Sequence, residues 1–154
     1  MKITDFFTED LVLAGLKPVD KSQACEMMVD HLIEKGRIAQ DRRKILLDKL
    51  MEREALSSTG IGGGVAIPHA SGENIDNMLV AVGQIPEGVD YDAIDDEPVR
   101  IIFMIIGSER LPRVHLQLLA MIVRACKNHD LVESLIKASS AKEIYNLIAE
   151  FDKG

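Results

Sequence analysis

Residues 99–106, Val-Arg-Ile-Ile-Phe-Met-Ile-Ile, are apolar at every position except Arg100. Successive side chains of a strand point to opposite faces, so a run that is apolar at both parities must be covered on both. A strand of this kind belongs in the middle of a layered structure, and the rest of the chain has to supply its covers.

Residues 78–85 read as a second strand, and shorter apolar runs at 11–13 and 65–67 as minor ones, with Pro68 expected to end the ladder pairing of the last. Helical spacing dominates elsewhere. Ala24, Met27, Met28 and Leu32 mark a helix over 21–35, with Asp20 as N-cap and Gln23 three residues on. Ile45, Leu46, Leu50 and Met51 mark a second over 41–53, with Asp41 as its cap and Arg53 in its last turn. From Pro112 onward, Leu116, Leu119, Ile122, Val123 and Cys126 define a third. Two shorter helices follow over 130–137 and 141–151, the latter with a capping box in Ser140 and Glu143. The acidic 91–98 stretch, Tyr-Asp-Ala-Ile-Asp-Asp-Glu-Pro, reads as a solvated connection. Strands in the middle and helices at both ends predict an α/β fold: a single layered domain over 1–154, with a mixed β-sheet and helices on both faces. A length of 154 residues with 47% hydrophobic content suits one domain with a substantial core.

The formal charge of -7 argues against non-specific binding of nucleic acid or anionic lipid, and a basic partner protein is easier to accommodate. The first residues lack a basic-then-apolar leader, and no apolar run reaches membrane-spanning length, so a cytoplasmic protein without membrane insertion is expected. Cys25 and Cys126 stand far apart with no CxxC spacing and read as buried free thiols. His31 and His129 have no partner pattern, and no metal-ligand spacing such as HExxH occurs, so neither a metal nor a cofactor is expected.

The chemistry concentrates in residues 58–70, Ser-Thr-Gly-Ile-Gly-Gly-Gly-Val-Ala-Ile-Pro-His-Ala. Its glycines could expose backbone N–H groups to an anion. The run nevertheless matches neither the P-loop, which needs Lys followed by Ser or Thr, nor the dinucleotide GxGxxG. His69 follows a short strand and a rigid proline, a placement that favours exposure. A neutral imidazole has a free lone pair near pH 7 and can act as a nucleophile without a strong base, which suits phosphoryl transfer. Thr59 adds a hydroxyl near the loop that could donate to phosphoryl oxygens. The alternative is a non-catalytic module that holds an anionic ligand at the Gly60–Gly64 loop, with His69 as a hydrogen-bond donor only.

This segment resembles the active-site segment of the fructose and mannitol class of enzyme IIA domains of the bacterial phosphoenolpyruvate-dependent sugar phosphotransferase system, with the nitrogen-regulatory branch nearest in pattern. The likeness joins the Arg53-Glu54 pair, Ser58-Thr59-Gly60-Ile61-Gly62, Ala66-Ile67-Pro68-His69 and His115-Leu116-Gln117-Leu118-Leu119, in order along nearly the whole chain. It implies that His69 takes a phosphoryl group from an HPr-type phosphocarrier through a phosphohistidine, with His115 and Arg53 lining the site. It further implies relay to a IIB-type acceptor in sugar transport, or control of a regulated target protein by phosphorylation state. Many relatives have Gly and then a basic residue after the histidine, where this chain has Ala70 and Ser71, a departure that bears on partner choice. Helical spacing independently sets His115 in the first turn of the third helix, four and seven residues before Leu119 and Ile122, and hence on its inward stripe.

Overall fold

The computed structural model describes residues 1–154. A six-stranded sheet is built from β1 (Val12–Leu13), β2 (Gly60–Gly62), β3 (Val65–Ala66), β4 (His69–Gly72), β5 (Leu79–Val89) and β6 (Val99–Ser108). Five α-helices accompany it: α1 (Lys21–Glu34), α2 (Arg43–Leu56), α3 (Pro112–Cys126), α4 (His129–Lys137) and α5 (Ala141–Lys153). Along the sheet the order is β1-β5-β6-β3-β2, and β4 joins by pairing with β6. The sheet is mixed: β5 and β6 are antiparallel, whereas β1 runs parallel to β5 and both β3 and β4 run parallel to β6.

β6 is the central plank that its sequence demands, with Ile101 through Ile106 all buried. Its two covers can be traced through β5. Gly83 faces Met28 of α1, while Gln84, its neighbour of opposite parity, donates to the carbonyls of Leu135, Ile136 and Ala138 at the end of α4. On the α1 side, Leu46 of α2 approaches Gly72. On the α4 side, His115 of α3 approaches Gly107. Helices therefore cover both faces, as expected of the α/β fold. No helix is long and apolar enough to cross a membrane.

Helix α1 starts where expected, and the Asp20 carboxylate accepts from Gln23 N at 2.8 Å. The start of α2 differs. Residues 40–42 form a 3-10 turn, α2 proper begins at Arg43, and Asp41 makes no capping bond. Of its expected inward residues, Leu46 and Leu50 are buried, Met51 packs at the core margin and Ile45 is exposed. In α3 the buried stripe is Leu118, Ile122 and Ala125, and Leu116 points outward with 67% of its surface exposed. The acidic connection is not wholly solvated either, since Tyr91 and Ala93 are buried beneath it. In the last helix Ser140 caps Glu143 N, but the Glu143 carboxylate turns to Ser139 instead of closing the box.

Candidate functional site

Pro68 interrupts the sheet without ending it. β3 pairs with Ile101 and Ile102 of β6, two residues pass, and β4 resumes on the same edge opposite Ile105 to Ser108. His69 is thus the first residue of a resumed strand, half-buried, and held by a proline on one side and a ladder on the other. Its register partner is Ile105, of the same parity as Gly107, so its ring projects toward the face that α3 covers.

There it meets His115. The two imidazoles pack edge to face, with centroids 5.4 Å apart and planes at 69°. His115 sits in the first turn of α3, half-buried, with Nδ1 directed toward Gly107. A Cβ at Gly107 would lie 3.7 Å from that nitrogen and would overlap the Met78 thioether, so glycine is what lets the strand pass this close. Burial is the main influence that lowers the His115 pKa from its ordinary value, with the charge of His69 second.

The tautomer of His69 follows from its partner. Nδ1 lies 2.9 Å from the Ile67 carbonyl oxygen, which can only accept, so Nδ1 carries the proton and donates. Nε2 is left with its lone pair.

Arg53 is placed by the way α2 runs along β4. Leu46 approaches Gly72, and Lys49 Nζ donates to the Ser71 carbonyl at 2.7 Å, so the helix runs antiparallel to the strand. One helical turn past Lys49 advances about 6 Å, and two strand residues back from Ser71 about 6.6 Å. By that spacing Arg53 falls about level with His69 along the strand direction. Its Nη1 donates to the Ser57 carbonyl at 2.8 Å, just beyond the end of α2, and the remaining N–H donors of the fork lie free of that bond.

Thr59 is placed otherwise than its sequence neighbourhood suggests. It is buried, and its hydroxyl bonds to Glu54 Oε2 while its backbone N–H donates to Glu54 Oε1 at 3.0 Å. The hydroxyl is thus engaged in the interior rather than offered to an anion. Glu54 is the hub of this network. Lys21 Nζ lies 3.4 Å from its Oε1 and stacks 4.9 Å over the Tyr91 ring, whose hydroxyl donates to Oε2 at 3.4 Å. Burial raises the pKa of the Tyr91 hydroxyl and pushes the adjacent Cys25 thiol up to about 11, so both stay protonated. Sequence pattern assigned no role to Glu54 or Lys49: Glu54 stood out only as half of the Arg53-Glu54 pair, and Lys49 not at all. The one available signal was spacing, because Glu54 adjoins Arg53 and Lys49 precedes it by a helical turn.

The glycine run is a hairpin turn. β2 and β3 pair antiparallel, and Gly62, Gly63 and Gly64 all have positive φ, from 66° to 94°, a conformation that strains any residue with a Cβ. Gly63 N donates to the Asp95 carboxylate at 3.0 Å, and that bond is the main influence lowering the Asp95 pKa.

Comparison with known proteins agrees with this architecture. The family described as "Phosphoenolpyruvate-dependent sugar phosphotransferase system, EIIA 2" matches residues 5–151. The chain is 36% identical to the fructose-specific EIIA component of Haloferax volcanii over 97% of its own length and 98% of that protein. It is 28% identical to a nitrogen regulatory protein of Bradyrhizobium diazoefficiens, covering 97% of this chain and 95% of that one. Among solved structures, the nitrogen regulatory protein IIA-Ntr of Neisseria meningitidis superposes with a TM-score of 0.86 at 27% identity, over 95% of this chain and 98% of its own.

Proposed function

The chain belongs to the EIIA 2 family of the phosphoenolpyruvate-dependent sugar phosphotransferase system, and from that membership we propose that His69 accepts a phosphoryl group on Nε2 from an HPr-type phosphocarrier and hands it on. The observation that carries this reading is the Nδ1–H···O=C bond to Ile67, which directs the lone pair of a half-exposed imidazole outward beside a second one. In the step itself, Nε2 attacks phosphorus in line. The P–N bond to the donor imidazole breaks, its electron pair returns to that ring, and a new P–Nε2 bond forms. The flying group spreads negative charge over its oxygens, so catalysis is mainly positioning and charge stabilisation. Neutral His115 supplies an N–H, Arg53 a guanidinium, and the N-terminus of α3, which no side chain caps, its partial positive charge.

Downstream, the group passes to a IIB-type acceptor, or phosphorylation state itself controls a target protein. Relatives of both kinds stand behind this pair of outcomes, the fructose-specific component and the nitrogen regulatory protein. A related fold, the mannitol enzyme IIA of Escherichia coli at 22% identity, has been solved in complex with phosphorylated enzyme IIB. The competing idea of an anion cradle at Gly60–Gly64 has a carboxylate against it, because Asp95 already occupies the Gly63 amide.

The test is incubation with phosphoenolpyruvate, enzyme I and HPr. Wild type should become an acid-labile, alkali-stable phosphoprotein, and His69→Ala should take no label while keeping its circular dichroism and unfolding midpoint. A His69→Ala protein labelled at normal stoichiometry overturns the assignment.

A further inference from the structure

We propose that Lys49 is a positioning residue for phosphoryl transfer, a single ammonium that ties together the three elements bearing Arg53, His69 and His115. The carbonyls of Pro68, just before β4, and of Gly72, at its end, accept from Ile105 and Glu109 N–H groups on the β6 side. By the alternation of a parallel ladder, the carbonyls of His69 and Ser71 turn away from β6 toward the open edge. Lys49 of α2 reaches that edge and donates to Ser71 O at 2.7 Å. The same Nζ lies 3.1 Å from Glu109 Oε1, in the turn that leads from β6 into α3.

One contact therefore fixes α2 against β4, and the other fixes the approach to α3. Arg53 follows Lys49 by one turn, His69 precedes Ser71 by two residues, and His115 follows Glu109 in the first turn of the next helix. An exposed lysine-carboxylate pair by itself stabilises little. The difference here is the carbonyl on a strand edge, which an ammonium satisfies and a methylene cannot. Small displacements of reacting groups are costly in transfer reactions, so loss of the tie should appear in rate more than in stability.

The rate part of the test rests on the phosphoryl-acceptor reading above, whereas the spectroscopic part does not. Lys49→Met keeps the aliphatic stem and removes the ammonium, and Lys49→Arg restores a donor. In Lys49→Met the ring resonances of both His69 and His115 should shift in unphosphorylated protein, and Lys49→Arg should return them toward wild type. Single-turnover transfer from phosphorylated HPr should slow about tenfold in Lys49→Met, with the KM for HPr within about twofold and Lys49→Arg recovering most of the loss. Unchanged imidazole resonances overturn the proposal. So does a rate loss that follows the unfolded fraction and is not recovered by arginine. Failure of wild type to accept a phosphoryl group would refute the function instead, and the imidazole spectra would still decide the role of Lys49.

Discussion

Burial of His115 beside His69 gives the site a pH dependence of definite sign. The His115 pKa is lower in the folded chain than the ordinary value of 6.5. Between those two values the unfolded chain therefore binds more protons than the folded one. The contribution from keeping His115 neutral is complete above the unfolded value and is lost as pH falls through the folded one. Urea midpoints taken at about pH 7.5 and about pH 5.5 should thus fall further for wild type than for His115→Gln, and equal falls would remove the effect. Phosphorylation should reverse the sign, because a phosphoryl dianion on His69 favours the charged imidazole. In an NMR titration His115 should accordingly titrate higher in the phosphoprotein than in the free protein. Thr59 supplies a contrasting residue. With its hydroxyl committed to Glu54, Thr59→Val should lose about 1–2 kcal/mol of stability in urea unfolding. Its transfer rate per folded molecule should stay within about twofold of wild type, whereas a phosphoryl ligand would lose far more.

At the scale of elements, what could be read in the sequence was whatever depends on local pattern. β6 announces itself through an apolar run of both parities, and α1 through Asp20 ahead of a periodic stripe. A glycine run and a proline leading into His69 marked it out, and helical spacing put His115 in the first turn where α3 has it. What failed depends on partners distant in the chain, or on a local turn that residue type does not announce. Asp41 has the chemistry of a cap, but a 3-10 turn sets it out of reach of α2. Tyr91 lies in an acidic stretch, and its burial is decided by Glu54, Cys25 and Lys21 from two helices. Leu116 fits a helical stripe by spacing, yet the stripe that packs is the one through Leu118. That error is informative, since it leaves a large apolar side chain in solvent one residue from His115. Leu116→Glu should raise the KM for the phosphoryl donor about tenfold, roughly 1.4 kcal/mol, with little change in the maximal transfer rate or in stability. An unchanged KM would place donor docking elsewhere.

At the scale of the whole molecule, β6 is the partner of β3, β4 and β5, and both β3 and β4 line up along one of its edges. The elements that hold Arg53 and His69 precede it in the chain, and the helix that holds His115 follows it. Parallel pairing of this kind joins segments far apart in sequence, and closing those long loops is slow compared with forming local helices. During synthesis His69 leaves the ribosome well before the strand that seats it. A nascent chain would then carry this imidazole without its ladder, its neighbouring imidazole or the turn that leads into the third helix. Under the proposed function, competence to receive a phosphoryl group is then a late property, gained only when the C-terminal half has folded back over the centre.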